Sequence, residues 1–141
     1  MTAAANDDGF WLVPIGRVRS PLTDPAEAPK QGHEGAPDAW IEFVPGVWDA
    51  MRDIEVGDRV VVLTWLDRAD RQTLRVHPRD DPTNPDTGVF STRSQDRTNP
   101  IGIHPVEVVA VEGLRVRVKN LEALDGTPVV DVKPVLDDAP T

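Results

Sequence analysis

Apolar and polar residues alternate along much of this chain, in short runs separated by turn sequences. Alternation at every second position is typical of a strand that buries one face and exposes the other to water. The densest run, residues 59–66, is apolar at almost every position, which predicts a strand buried on both faces. We predict strands over residues 10–19, 40–44, 59–66, 88–92, 106–111, 114–118 and 129–136.

One segment follows a helical period instead. Val47, Trp48, Met51 and Ile54 fall on one face of a short helix, which we expect to end near Gly57. Glu112-Gly113 separates two alternating runs and predicts a hairpin. This pattern of strands, one short helix and frequent turn signals indicates an all-β barrel or sandwich with long loops.

The length and the ends of the chain predict its organisation. A chain of 141 residues is expected to form one domain, here residues 10–137, with a disordered leader over 1–9 and a tail over 138–141. The first residues lack the positive start and apolar centre of a secretion signal. No apolar run approaches the ~20 residues of a membrane span. We therefore predict a cytoplasmic protein with no membrane partner.

Composition limits the chemistry and the partners. The chain has no cysteine, which excludes a disulfide framework, a thiolate metal site and a cysteine nucleophile. Its 24 acidic and 15 basic residues give a net charge of −9, whereas nucleic-acid binders usually carry a basic footprint. Contact with a nucleic acid would have to be local, weak, or made by a dimer that gathers arginines on one face.

The commonest catalytic motifs are absent. His33, His77 and His104 lie far apart and not at the spacing of metal ligands, so we expect no metal site. The chain also lacks a Gly-x-Ser-x-Gly elbow, a phosphate-binding loop and a Gly-x-Gly-x-x-Gly motif.

Three polar stretches carry the remaining candidate chemistry: residues 29–32, the turn at 93–102, and residues 124–128. The turn holds Arg93 and Arg97 beside a proline and a glycine, an arrangement that suits an anionic group. Each stretch alone is equally typical of a solvated loop or an ordinary β-turn. Together they point to one shared pocket.

These stretches resemble landmarks of one family, the TsaA-like domain of the TrmO tRNA methyltransferases. Pro29-Lys30-Gln31 matches its Pro-Lys-Gln loop. Residues 92–102, Thr-Arg-Ser-Gln-Asp-Arg-Thr-Asn-Pro-Ile-Gly, resemble its Thr-Arg-Ser-Pro-x-Arg-Pro-Asn-Pro-Ile-Gly turn. Residues 125–134, Asp-Gly-Thr-Pro-Val-Val-Asp-Val-Lys-Pro, resemble its Asp-Gly-Thr-Pro-x-x-Asp-x-Lys-Pro strand. The resemblance extends from Ile15 to about Leu136.

The resemblance implies a single-sheet β-barrel that binds S-adenosyl-L-methionine and works as a homodimer, with the pocket near the subunit interface. In this family the methyl acceptor is the exocyclic amine nitrogen of threonylcarbamoyladenosine, next to the tRNA anticodon. Carried over to this chain, the residues expected to bind the cofactor are Pro29, Lys30, Gln31, Asp67, Arg68, Arg93, Ile103, Leu124, Asp125, Gly126 and Thr127.

The substrate is expected to contact Arg97, Asn99 and Lys133. No catalytic residue is assigned. The acceptor nitrogen is acylated and poorly nucleophilic, so a base would help the transfer. Three residues are candidates for that base, and the sequence does not choose among them: Asp67, His104 and Asp125.

This chain departs from the family pattern at several positions. Gln95 and Thr98 replace prolines of the turn, Asp67 stands where related short members often have histidine, and His104 replaces a serine of the tRNA enzymes. With the acidic charge, these departures leave two alternatives: a methyltransferase of the same fold that acts on a small molecule, and a non-catalytic module that binds S-adenosylmethionine. A basic stripe would favour a tRNA substrate, and its members would be Arg68, Arg71, Arg79, Arg93 and Arg97.

Overall fold

The computed structural model describes residues 9–24, 26 and 35–136. The described residues contain eight strands, six of which form one closed barrel. The other two pair as a short ribbon beside it. The strands are β1 (Gly16–Arg19), β2 (Ala39–Phe43), β3 (Arg59–Trp65), β4 (Arg75–Val76), β5 (Thr87–Gly88), β6 (Ile101–Glu112), β7 (Arg115–Val118) and β8 (Pro128–Pro134).

The barrel follows the order β1-β2-β7-β6-β3-β8 and closes because β1 pairs with β8 as well as with β2. Every pairing in it is antiparallel. The predicted all-β barrel is therefore confirmed, and the alternative of a sandwich is not. Closure gives each of these six strands two neighbours, which removes exposed sheet edges.

Alternation along the strands fills the barrel interior. In β6, for example, residues 102, 104, 106 and 108 are buried, while 101, 103, 105 and 107 are exposed. The β-branched valines that dominate the interior pack well on a pleated sheet. The largest fully buried apolar side chains are Ile41, Met51, Leu121, Val18, Val62, Val108, Val116, Val118 and Val129.

The predicted helix is shorter than the pattern indicated. A 3-10 turn at Pro45–Val47 leads into helix α1 (Trp48–Met51), where Met51 is buried against the barrel core. Gly57 then turns the chain into β3 with a φ of 95°, a conformation that glycine adopts without strain. None of the helices in the described part of the chain is long and apolar enough to cross a bilayer.

Two predicted strands are wrong in part. In the stretch 10–19 the strand begins at Gly16, and the preceding Phe10–Val13 segment is exposed. Backbone pairing of this segment begins where the Ile15 amide reaches the Val129 carbonyl, one residue after Pro14, which has no N–H to donate.

The stretch 88–92 is mainly a 3-10 turn, Val89–Ser91, and only Gly88 belongs to a strand. The Val89 side chain is buried while Phe90 is exposed. The apolar residues of this stretch therefore do not pack together into one core. Conversely, β6 begins at Ile101, five residues before the predicted 106. Pro105 lies inside β6, on its exposed face.

Several predictions lie outside the described residues. These are the tail, the leader apart from Gly9, and the Pro29-Lys30-Gln31 loop.

Candidate ligand-binding site

A hollow opens at one end of the barrel, where β3 ends, β6 begins and the segment before β8 crosses over. The loop after β3 and the arginine-rich turn before β6 form its outer walls. Apolar side chains make up part of the lining, and three arginines, two carboxylates and one histidine supply charge or hydrogen bonds. The lining residues that matter here are Leu66, Asp67, Arg68, Arg93, Ser94, Arg97, Ile101, Gly102, Ile103, His104, Glu122, Ala123, Leu124 and Thr127.

Three polar side chains are linked at the inner end of this hollow. The imidazole Nε2 of His104 lies 2.7 Å from Thr64 Oγ1, and its Nδ1 lies 2.5 Å from Glu122 Oε1. Thr64 is fully buried, His104 is nearly so, and the Glu122 side chain is 14% exposed. Because a carboxylate can only accept, Nδ1 must carry a proton that it donates to Glu122.

Gly102 makes room for this arrangement. It pairs directly with Thr64 across the β3–β6 ladder. A Cβ atom at residue 102 would collide with Thr64 Oγ1 and lie 2.7 Å from His104 Nε2. The absence of a side chain at this position is therefore what lets the Thr64 hydroxyl reach the imidazole.

The arginine turn is held by its own polar groups. The Arg97 guanidinium donates to three backbone carbonyls, those of Val89, Thr92 and Ser94, at 2.8–3.2 Å. Asp96 accepts from the Asp70 amide at 2.8 Å, which ties the turn to the loop after β3. The turn, which has Gln95 and Thr98 where the family pattern has prolines, is thus held in place by side-chain hydrogen bonds.

Arg93 differs from Arg97. Its side chain is exposed and lines the hollow, and it makes no hydrogen bond or ion pair with any residue that the structure describes. Arg68, on the opposite wall, has one hydrogen bond within the described part of the chain, to the Thr23 carbonyl at 3.4 Å. The guanidinium of Arg93 is therefore available to an anionic ligand.

The Asp125-Gly126 turn lies next to the hollow. Asp125 Oδ1 accepts from the Ser20 amide at 3.0 Å, and the Asp125 amide donates to the Leu22 carbonyl at 2.7 Å. Gly126 has a φ of 84°, so a side chain there would be strained. The turn fixes the segment that leaves β1, while Leu124 and Thr127 on either side of it face the hollow.

A second hollow lies on the far side of Arg93, between the turn and residues 76–80. Next to it, the hydroxyl and amide of Thr83 donate to Asp81 and hold the pKa of that carboxyl below its usual value. Among the described residues, no cluster of three or more histidine, aspartate or glutamate side chains could hold a metal ion.

The structure brings most of the predicted site residues together. Six of the eight described residues predicted to bind the cofactor line the hollow, and Asp125 and Gly126 form the adjoining turn. Arg97 also lines it, but Asn99 accepts from Arg71 at 3.2 Å and lies outside the lining. Lys133 pairs with Asp131 at 3.0 Å and sits opposite Val61, away from the pocket end of β3.

The sequence reading did not single out Glu122. A possible signal was its place between Leu121 and Ala123, both of which are buried. An acidic residue within such an apolar segment points to a specific partner. Which partner it has depends on the fold, since His104 lies 18 positions away in the chain.

Comparisons with known proteins identify the family. Residues 17–140 match the model of the tRNA-methyltransferase O N-terminal domain. The chain belongs to this family, as the resemblance predicted.

The relatives differ in how much of their length this chain covers. A probable S-adenosyl-L-methionine-binding protein of Methanothermobacter thermautotrophicus is 42% identical over 133 residues, which span 94% of this chain and 95% of that protein. One of Archaeoglobus fulgidus is 46% identical over 120 residues, or 85% of this chain, but the match covers only 32% of that protein.

The crystal structure of TrmO from Pseudomonas aeruginosa has the same fold, with a TM-score of 0.69 and 29% identity. The match covers 91% of this chain and 56% of that one. This chain therefore spans about a third of the A. fulgidus protein and little more than half of TrmO.

Proposed function

We propose that this protein is an S-adenosylmethionine-dependent methyltransferase that acts on the exocyclic amine nitrogen of threonylcarbamoyladenosine in tRNA. The family membership and the names of the relatives support the reaction class. The observation that carries the proposal is Arg93, an arginine with no partner among the described residues, beside a hollow that is otherwise partly apolar.

The residues of the hollow fit S-adenosylmethionine as a ligand. Arg93 can form a charge-assisted pair with the carboxylate of its amino-acid part. Leu66, Ile101, Ile103 and Leu124 offer apolar surface to its adenine and ribose. When bound, S-adenosylmethionine supplies a methyl group on a positively charged sulfur.

The contribution of the protein to methyl transfer is mainly positioning, because an in-line approach of the acceptor nitrogen to within about 3–3.5 Å lowers the barrier. The nitrogen must also lose a proton. Of the three candidate bases, His104 has both ring nitrogens engaged, and Asp125 already accepts from Ser20. Asp67 is exposed at the mouth of the hollow and has no hydrogen bond within the described residues, which favours it as the base.

The arginines around the turn support tRNA as the acceptor. Arg68, Arg93 and Arg97 line the hollow, and Arg79 and Arg93 line the hollow beside it. Arg71 stacks over Trp65 at 5.0 Å and bonds to the turn. A phosphate backbone would meet this basic region locally, although the chain as a whole carries a charge of −9. That charge favours a small-molecule acceptor as the second candidate.

We include a homodimer in the proposal. Phe10 and Trp11 are 95% and 93% exposed, and they precede Ile15, the residue at which the chain begins to pair with the barrel. Large aromatic side chains left in water by a single subunit are typical of an interface.

The test is methyl transfer from radiolabelled S-adenosylmethionine to three acceptors: tRNA that carries threonylcarbamoyladenosine, the same tRNA without the modification, and the free modified nucleoside. Transfer to the modified tRNA alone is expected. Transfer to the free nucleoside at an equal rate would favour the small-molecule candidate. An Asp67→Asn variant should keep cofactor binding and lose transfer at neutral pH. No transfer and no binding of S-adenosylmethionine would reject the proposal.

A further inference from the structure

The carboxylate of Glu122 lies at the inner end of the hollow and is largely buried. Two carboxylates line the described part of the hollow, and the other, Asp67, is exposed to solvent. The Glu122 side chain is 14% exposed and lies between the buried Leu121 and Ala123. A charge in so apolar a setting interacts strongly with an opposite charge, because little water screens it.

His104 holds this carboxylate by a hydrogen bond. The Nδ1–H group donates to Glu122 Oε1, and the hydroxyl of Thr64 can donate to Nε2 of a neutral ring. In this arrangement all three groups are satisfied around an uncharged imidazole, which leaves the carboxylate to pair with a cation of the ligand. Its second oxygen, Oε2, has no hydrogen bond to any described residue.

Among the described residues, no arginine of the hollow forms an ion pair with Glu122. Arg97 is engaged by backbone carbonyls, and Arg68 by the Thr23 carbonyl. Arg93 makes no ion pair within the described residues. Within the described residues, the hollow therefore presents an arginine without an ion pair and, at its inner end, a carboxylate, a pattern that matches a ligand carrying both signs of charge.

We propose that Glu122, held by His104 and Thr64, is the subsite for a positively charged group of the ligand. The inference rests on the proposed function, since S-adenosylmethionine carries two such groups, a sulfonium and an ammonium. Glu122 is a binding residue in this assignment, and His104 and Thr64 are positioning residues.

The experiment is calorimetric titration of Glu122→Gln with three nucleosides. S-adenosylmethionine carries both cations, S-adenosylhomocysteine carries only the ammonium, and methylthioadenosine carries neither. Glutamine keeps an oxygen that accepts from His104, so the variant removes the charge and preserves the hydrogen bond. Glu107→Gln is the matched control, because Glu107 is exposed on β6 opposite Arg59, far from the hollow.

We expect Glu122→Gln to weaken the binding of S-adenosylmethionine by roughly tenfold or more and to leave the affinity for methylthioadenosine unchanged. If the affinity for S-adenosylhomocysteine falls by the same factor, the subsite binds the ammonium. If that affinity is unchanged, the subsite binds the sulfonium. Glu107→Gln should bind all three as the wild type does.

Two results would overturn the assignment alone. One is an S-adenosylmethionine affinity within twofold of the wild type, and the other is a loss for methylthioadenosine as large as that for S-adenosylmethionine. A wild-type protein that binds none of the three nucleosides would overturn the proposed function as well.

Discussion

Thr64 on β3 and Gly102 on β6 are direct partners across the longest pairing of the barrel, and the Thr64 hydroxyl occupies the space that a side chain at residue 102 would need. The hydroxyl lies 2.7 Å from His104, which in turn reaches Glu122. One missing side chain thus permits a chain of three polar groups in an interior that is otherwise mostly apolar.

Gly102→Ala is expected to destabilise the protein by about 1 to 3 kcal/mol, as overpacking of a filled core does. Both atoms that the new Cβ would meet belong to buried side chains with little room to move. The measurement is the free energy of unfolding by chemical denaturation. Gly46→Ala is the control, because a Cβ there meets nothing within 4 Å. Equal stability of the two variants would contradict the prediction.

The neutral form of His104 is expected to carry its proton on Nδ1, since Glu122 can only accept from that atom. Long-range proton–nitrogen NMR correlations at alkaline pH distinguish the two tautomers directly. Glu122→Ala removes the acceptor and should allow the Nε2–H form to populate. Detection of the Nε2–H tautomer in the wild type would contradict this assignment. His104 would then donate to Thr64 and accept from a protonated Glu122.

Arg93→Ala is expected to affect ligand binding, and Arg97→Ala is expected to affect stability. Arg93 has no partner within the described residues, so its loss should change the free energy of unfolding by less than about 0.5 kcal/mol. The Arg93→Ala change should weaken the binding of S-adenosylmethionine by roughly tenfold or more. Arg97→Ala removes three hydrogen bonds from the turn and should cost about 1.5 to 3 kcal/mol of stability.

Denaturation curves and titrations of the two variants provide the comparison. A stable Arg97→Ala protein with wild-type melting would indicate that the arginine serves the ligand rather than the turn.

Asp125 is expected to act partly through the backbone that it holds. Asp125→Asn retains an oxygen that accepts from Ser20 and should stay within about 0.5 kcal/mol of wild-type stability, whereas Asp125→Ala loses that bond and should cost about 1 kcal/mol. Ligand titration of both variants separates the roles. If Asn weakens the ligand as much as Ala does, the charge of Asp125 contacts the ligand; if only Ala weakens it, the turn is what matters.

The wild-type protein is expected to be a dimer by light scattering, and the double change Phe10→Ser with Trp11→Ser should shift it toward the monomer. The two side chains are almost fully exposed in one subunit, so the barrel of the variant should still fold. Val56→Ser removes another exposed apolar side chain, near helix α1, and should leave the dimer intact. A double variant that remains dimeric would place the interface elsewhere.

Local sequence predicted most of the fold. Strands β3, β7 and β8 lie close to their predicted limits. β3 is a dense apolar run, and β7 alternates because burial on one face leaves a period of two. The errors fall where apolar residues do not share one core. Phe90 and Val89 are adjacent and apolar, yet they point to different surroundings.

The candidate site was predictable where a short motif carries it, and less so elsewhere. The turn around Arg93 and the turn at Asp125 are each contiguous in the chain, so their residues could be read together. Whether an arginine binds its own turn or a ligand depends on which carbonyls lie within reach. Arg93 and Arg97 are alike in sequence, and only the backbone conformation distinguishes them.

The sequence by itself determined the all-β class, the two polar turns and the excess of acidic charge, because periodicity, turn chemistry and composition are local or additive properties. The tertiary structure decided that Thr64, His104 and Glu122 meet at the inner end of one hollow. Their contact requires the β3–β6 register and the path of residues 121–124 after β7. Alternation shows which face a residue occupies, whereas register and closure of the barrel set which residues on that face touch.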